Sequence, residues 1–329
     1  MNIEKIKDIL NKLYKFSGTW PGTIFIVLFL IFFVAQSFVI PSGSMKRTML
    51  IGDFLFAKKF SYGTPIPHLP WAEVPLFPDL DGDGHLFAGA RPKREDIVIF
   101  RYPKNNKIHF VKRCVAVGGD ELIYLPKKLL IHFNEGDKYI TENYPKEKIV
   151  SLRDKLWVVN PYKDKYRGIQ YKPEMQMNIF EALLNSYAYN KEIDMSPIYI
   201  DNLNERVYDI EGKQVNALYK KIEDDNFYMI GDNRDNSSDS RFWGSVPYRL
   251  IVGQPWFIYF SLEHRSYERV LKGIQGSGKD NARLSVICGN IQLDSKECES
   301  LWNRERFTIR WGRIGRNITN LSLEEPIER

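Results

Sequence analysis

The stretch Ile40-Pro41-Ser42-Gly43-Ser44-Met45 ends the only long apolar run of the chain. A serine therefore stands where an apolar segment gives way to a polar domain. Between Phe16 and Met45 there is no charged residue, and the 18 residues from Thr23 to Ile40 are almost all apolar. That length spans a hydrocarbon core. Trp20 marks the near interface, and Lys5, Lys7, Lys12 and Lys15 precede it. By the positive-inside rule the N-terminus is cytoplasmic and the remainder lies across the membrane. A cleavable signal peptide is the competing reading, because Val34-Ala35-Gln36-Ser37 carries small residues near the end of the run. The run is long for a signal h-region, and cleavage there would leave Ser44 almost at a free terminus.

Upstream, Ile3, Ile6, Leu10, Leu13 and Tyr14 recur at helical spacing among the lysines. An amphipathic helix over 1–16 is expected, either lying on a leaflet or simply solvated. The expected organisation is a cytoplasmic segment over 1–19, a transmembrane anchor over 20–41, an extracytoplasmic domain over 42–320 and a frayed tail over 321–329.

Downstream, Ile51 to Phe60 reads as a turn followed by a strand. Ser61 to Pro92, rich in Pro, Gly and aromatics, reads as a long irregular excursion. Within it Asp79-Leu80-Asp81-Gly82-Asp83-Gly84 imitates the start of a calcium loop, but the twelfth position is Ala90 where a bidentate Glu is needed. A plain acidic turn is the expectation. Asp96 to Arg101 and Lys107 to Val117 read as a hairpin about Pro103 to Asn106, and Leu122 to Tyr124 and Leu129 to Phe133 continue a meander. Residues 125–220 are less regular and read as an inserted cap subdomain, with one helix between Met177 and Tyr189. Asn226 to Ile230, Trp256 to Ser261 and Phe307 to Trp311 read as further strands. Short strands, many turns and few helical periods make the domain over 42–320 mainly β.

A chain of 329 residues buries a sizeable core in one large domain or two smaller ones. Its net charge of +6 and pI of about 8.9 suit a face near anionic lipid. No recognition motif is interleaved with a basic patch, so nucleic acid is not expected. The cysteines, Cys114, Cys288 and Cys298, are too few for a disulfide scaffold and wrongly spaced for zinc. Cys288 and Cys298 either close one bridge in an oxidising compartment or stay free. Cys114 lies in an apolar strand pattern and reads as a small core residue.

A serine needs a neighbouring base before it becomes a nucleophile. His68, His85, His109, His132 and His264 stand in no triad-like motif. Lys112 is the other candidate. Strand alternation puts Ile108, Phe110, Lys112 and Cys114 on one face. Burial among them would lower a lysine from about 10.4 toward neutrality, where its amine acts as a general base. Alternation equally allows a strand-edge lysine whose head reaches water. Arg113 points the other way and stays protonated. The cluster Gly231 to Gly244, with Arg234, Asp235, Asp239 and Arg241, reads either as a polar surface turn or as a buried supporting network.

Three stretches in order resemble bacterial type I signal peptidases, membrane-bound serine/lysine proteases that remove signal peptides. They are Pro41-Ser42-Gly43-Ser44-Met45 with Thr48; Lys112-Arg113 with Gly119-Asp120; and Gly231-Asp232-Asn233-Arg234-Asp235-Asn236-Ser237-Ser238-Asp239-Ser240-Arg241 with Trp243-Gly244. The resemblance runs from the membrane segment to about Phe260, faintly to Arg313-Ile314-Gly315, and is weak over 125–220.

The resemblance implies a signal-peptidase-like β domain in which Ser44 is the nucleophile and Lys112 the general base. The Ser44 N–H and the Ser42 hydroxyl would form the oxyanion hole. Ser237 would hydrogen-bond Lys112, and Asp239 and Arg241 would pair to brace the site. Val39, Ile40, Phe110 and Val111 would flank an extended substrate. The implied activity is cleavage of exported preproteins after Ala-X-Ala-like sites at the bacterial cytoplasmic membrane. The implied enzyme needs no cofactor or metal, contacts lipid and works as a monomer. A relative dedicated to a pilin- or conjugation-type substrate, and an inactive membrane-tethered peptide-binding domain, are the alternatives. The chain departs from the family at Arg47, where proline is usual, and at Glu95, where Arg-Gly-Asp is usual. It departs also at Ala116 to Asp120, where Gly-x-Pro-Gly-Asp is usual. Lys46 and Arg47 put two cations beside Ser44, which could lower the pKa of Lys112 or meet lipid phosphates.

Overall fold

The computed structural model describes residues 3–69, 72–171, 179–190, 193–201, 207–208, 214–264, 286–289, 291–292, 294–305 and 307–325. The chain begins with helix α1 (Ile3–Ser17), in which Asp8 and Lys12 pair one turn apart. Helix α2 (Trp20–Phe29) starts where sequence rules place a start: the Thr19 hydroxyl accepts the Gly22 N–H, and Pro21 occupies the first turn. A π-helical turn, Leu30–Val34, continues it.

The apolar run then changes character. Ala35–Val39 is a strand, β1, paired in register with β2 (Asp53–Lys58), Ala35 opposite Lys58 and Val39 opposite Phe54. The anchor expected over 20–41 is thus helical only from Trp20 to Val34. No single helix among the described residues is long and apolar enough to cross a membrane; α1 and the 20–34 helix form a pair bent by 95°. The run ends in a strand because Gln36 and Ser37 interrupt the apolar sequence and β2 supplies a partner edge.

Two antiparallel sheets follow. The excursion carries β3 (Gly63–Pro65) and β4 (His85–Ala88), which pair with each other. Next come β5 (Ile97–Tyr102) and β6 (Asn105–Val117), joined through Pro103-Lys104 as the hairpin pattern predicts. Then come β7 (Glu121–Leu125), β8 (Lys128–His132), α3 (Gly136–Asn143), β9 (Ile149–Leu152), β10 (Lys155–Val159) and α4 (Ile179–Asn190). Residues 177–178, at the start of the expected helix, lie outside the described residues. The strands β11 (Ser196–Ile198), β12 (Val207–Tyr208), β13 (Gln214–Val215) and β14 (Ala217–Lys221) close this region. After them come β15 (Asn226–Ile230), α5 (Ser240–Trp243), β16 (Val246–Pro247), β17 (Ile251–His264) and β18 (Phe307–Ile309).

The first sheet runs β1-β2-β17-β5-β6-β15-β16, with β18 added on β17. The second runs β11-β14-β7-β8-β10-β9 and is built from residues 121–221. Leu122, Tyr124, Ile131, Phe180, Leu183 and Leu218 of this region share one core with Val115, Tyr228 and Ile230 of the first sheet. The region expected as a cap therefore packs on the first sheet through a continuous apolar core.

Residues 321–323 of the tail expected to fray over 321–329 belong to a helix. Helix Ile318–Leu323 buries Ile318 and Leu321 against Ile40, Met45 and Met49. Residues 326–329 lie outside the described residues. Cys288 and Cys298 form a disulfide with Cα atoms 5.1 Å apart and pack on Trp302. Cys114 is a free, fully buried core residue.

Candidate active site

The Ser44 hydroxyl is placed by a tight turn. Ile40 donates to Asp53 O, and Gly52 donates to Ile40 O, so the chain leaves β1 clamped to the start of β2. Gly43–Met45 then forms one 3-10 turn that buries Ser44 and Met45. Asn233 holds this turn from the support loop: its N–H donates to Ser44 O at 3.0 Å and its side-chain amide to Gly43 O at 3.0 Å.

Lys112 comes from the middle of β6. Its Nζ lies 2.7 Å from Ser44 Oγ and also donates to Val111 O. Only 4% of Lys112 is exposed, so the water-reaching reading of strand alternation does not apply. Burial lowers its pKa to about 8, while the carboxylates of Asp239 and Asp232 pull the other way. Lys46 and Arg47 are not among the causes of that shift. The second polar neighbour of Ser44 Oγ is the Ser42 hydroxyl, at 3.5 Å. A hydroxyl beside a desolvated amine that is neutral in part of the molecules near pH 7 to 8 can surrender its proton to that amine.

The support loop is buried, which decides between its two sequence readings. Asp239 and Arg241 are both fully buried and form a two-pronged ion pair at 2.8 Å for each prong. Burial raises the Asp239 carboxyl, but the Arg241 guanidinium outweighs it and the net shift is downward. Arg241 also donates to Tyr124 Oη and Arg234 O. Asp239 caps α5 and accepts the Gly231 N–H. Among the described contacts the expected bond from Ser237 to Lys112 does not appear. Ser237 is buried beside Gly231, where an added Cβ would stand 2.3 Å from Oγ, and its hydroxyl helps hold the Asp239 carboxyl down.

Val39, Ile40, Phe110 and Val111 all line one cleft of about 400 Å3, and Ser42, Ser44 and Lys112 line it too. One wall is β1, an edge strand that among the described residues pairs only with β2; the other is the Ile108–Lys112 part of β6. Strand β15 pairs with β6 only from Arg113 onward, so this part of β6 also presents an open edge. His109 lines the cleft with its ring against Phe38, and burial pushes its pKa down to about 4. It makes no hydrogen bond to Ser44 among the described contacts. The acidic turn at 79–84 is closed by Gly84 donating to Asp79 and His85 to Asp83. Among the described residues no group of three or more His, Cys, Asp or Glu could hold a metal ion.

Two buried ion pairs behind the serine turn had no local sequence signal. Arg113 grips Asp232 at 2.8 and 2.7 Å, and Asp232 accepts the Thr48 hydroxyl at 2.6 Å. Arg313 grips Asp53 at 3.1 and 2.6 Å and donates to Thr48 O. Glu95 stands at one position where the chain departs from the family pattern. Its φ is +78°, a conformation glycine adopts freely, and its carbonyl accepts from Arg113 while its N–H donates to Cys114 O.

A family model described as signal peptidase, peptidase S26, matches residues 16–260. Signal peptidase I of Helicobacter pylori strain 26695 is 47% identical over 316 residues, spanning 95% of each chain. That of strain J99 is 44% identical over the same length and coverage. Signal peptidase I of Buchnera aphidicola subsp. Schizaphis graminum is 34% identical over 266 residues, 77% of this chain and 76% of that one. With its mainly β fold and a serine and lysine in contact within a two-edged cleft, the chain belongs to the signal peptidase family, peptidase S26.

Proposed function

We propose that this serine endopeptidase removes signal peptides with Ser44 as nucleophile and Lys112 as general base. The observation that carries the assignment is the buried 2.7 Å contact between Lys112 Nζ and Ser44 Oγ.

An extended signal-peptide segment lies between the open edges of β1 and β6, adding main-chain hydrogen bonds to both. Neutral Lys112 takes the Ser44 proton as Oγ attacks the scissile carbonyl. The Ser44 N–H and Ser42 hydroxyl stabilise the resulting oxyanion, a role in which one donor typically contributes about 3–4 kcal/mol. The Lys112 ammonium then protonates the leaving amine, and the mature N-terminus departs. Water, deprotonated by the same amine, hydrolyses the acyl-enzyme and frees Ser44. Asp239 and Arg241 fix the loop behind the dyad. The apolar lining that includes Ile40 and Val111 takes small side chains, as in Ala-X-Ala.

The 20–34 helix anchors the chain in the bacterial cytoplasmic membrane, with α1 on the cytoplasmic side and the β domain outside. Fifteen helical residues rise about 22 Å, short of a hydrocarbon core of about 30 Å, so the anchor needs a thinned bilayer or apolar residues of β1. The exposed apolar side chains from Ile24 to Ile31 support burial in lipid. The enzyme acts as a monomer.

The test is cleavage of a preprotein with an Ala-X-Ala site by detergent-solubilised full-length enzyme, with N-terminal sequencing of the product. Cleavage after the second alanine by wild type and none by Ser44→Ala supports the reading. Cleavage by Ser44→Ala at the wild-type rate overturns it.

A further inference from the structure

The segment 160–171, which carries none of the family motifs, reaches the back of the serine turn. Gln170 joins the support loop as a short parallel bridge opposite Asn233. Its N–H donates to Asp232 O and its carbonyl accepts from Arg234 N–H, each at 3.0 Å. Asn233, enclosed by those two bonds, is the residue that donates to Ser44 O and Gly43 O. The side chain of Gln170 turns the other way. Its Oε1 accepts from Arg47 Nη1 at 3.4 Å, and Arg47 is three residues past Ser44. Two residues earlier, Gly168 passes so close to Thr48 that an added Cβ would stand 2.2 Å from Thr48 Oγ1.

The serine turn is thus gripped from two directions by one insert residue. The need for such a grip is local. Arg47 has φ +80°, a conformation that costs a non-glycine residue free energy and persists only where surroundings impose it. Proline, usual here in the family, cannot adopt it because its ring fixes φ near −65°. Among the described residues the Gln170 amide also leaves Nε2 buried without a hydrogen-bond partner, a cost that a freely placed glutamine would avoid by turning to water.

We propose that Gln170 is a positioning residue for Ser44. Its backbone locks Asn233 against the Ser44 carbonyl, and its side chain holds Arg47 so that the turn keeps Oγ on Lys112. The insert then completes the active site. This inference rests on Ser44 being the nucleophile.

The test uses full-length enzyme in detergent and preprotein cleavage resolved into kcat and KM, with thermal unfolding of each variant. Gln170→Ala is expected to lower kcat about tenfold, the effect of one lost hydrogen bond to a charged group, with KM within about twofold. Gln170→Glu removes the orphan donor and strengthens the acceptor, so kcat returns to wild type or above. Arg47→Ala mirrors Gln170→Ala, and the double variant is no slower than either single one. Wild-type kcat in Gln170→Ala, a loss confined to KM, additive losses in the double variant, or a Glu variant as impaired as Ala would each overturn the proposal. Should Gln170→Ala unfold, Gln170→Glu and Arg47→Ala carry the same comparison. Ser44→Ala is assayed alongside. If it still cleaves, the nucleophile assignment falls and the clamp with it. If it is inactive while Gln170→Ala matches wild type, only the clamp falls.

Discussion

Lys112 Nζ and Ser44 Oγ meet at 2.7 Å across 68 residues of sequence, and both side chains are buried. A lysine in such a place is a liability for folding and an asset for catalysis. The same desolvation that destabilises its ammonium leaves a substantial neutral fraction near pH 7 to 8.

Replacing Lys112 by methionine therefore separates the two effects. Its folded pKa, about 8, is below the unfolded value of 10.5, so the unfolded chain binds more protons between those pH values. The stability of the wild type should rise as pH climbs through that window and be lowest below it. Lys112→Met removes the burden, so its melting temperature at pH 7 should exceed that of wild type by a few degrees. Preprotein cleavage should fall by at least about a thousandfold. A lower melting temperature at pH 7 would show that the ammonium is better solvated than its burial implies.

Breaking the Arg113–Asp232 pair should be costly in both respects. Arg113→Ala leaves a buried carboxylate that still holds Thr48, and loss of one partner of a buried pair typically costs about 3–5 kcal/mol. Urea denaturation should report that loss. Cleavage at temperatures where the variant is folded should also fall, because Thr48 lies four residues past Ser44.

Restoring the usual proline at position 47 should harm this chain. A ring that fixes φ near −65° cannot sit where Arg47 has +80° without rebuilding the serine turn. Arg47→Pro is expected to lower kcat further than Arg47→Ala, measured on the same preprotein. Equal rates would mean that the turn adapts at little cost.

The disulfide should matter locally. Cys288 and Cys298 close a short loop and pack with Trp302 in a cluster separate from the main cores. A loop of that size is worth about 2–3 kcal/mol in the entropic model. Cys288→Ser/Cys298→Ser should be cleaved faster by an added protease within 286–305 while preprotein processing stays within about twofold of wild type.

Much of the fold is legible in the pattern of residues. The alternating and β-branched runs of β5, β6 and β15 place strands within a residue or two of where they lie. Ser44 is legible as the residue at the end of an apolar run. Depth is not legible: alternation puts Lys112 on a face, but what covers it, the serine turn and the support loop, is distant in sequence. The same holds for Arg313 on Asp53 and Gln170 on Arg47, which join segments more than a hundred residues apart. The apolar run misled at its end, because Ala35 to Val39 suits lipid and a sheet edge equally, and only β2 decides between them. The helix Ile318–Leu323 is too short to show a period, yet two of its side chains are core.

The pH dependence of kcat/KM on an Ala-X-Ala preprotein tests the dyad most directly, since it reports the groups that must titrate in the free enzyme. With Lys112 as base, kcat/KM should rise with pH through an apparent pKa of about 8 and level off above it. A rise centred near 6 to 7, or a rate flat from pH 6 to 9, would contradict Lys112 as the group that takes the proton from Ser44.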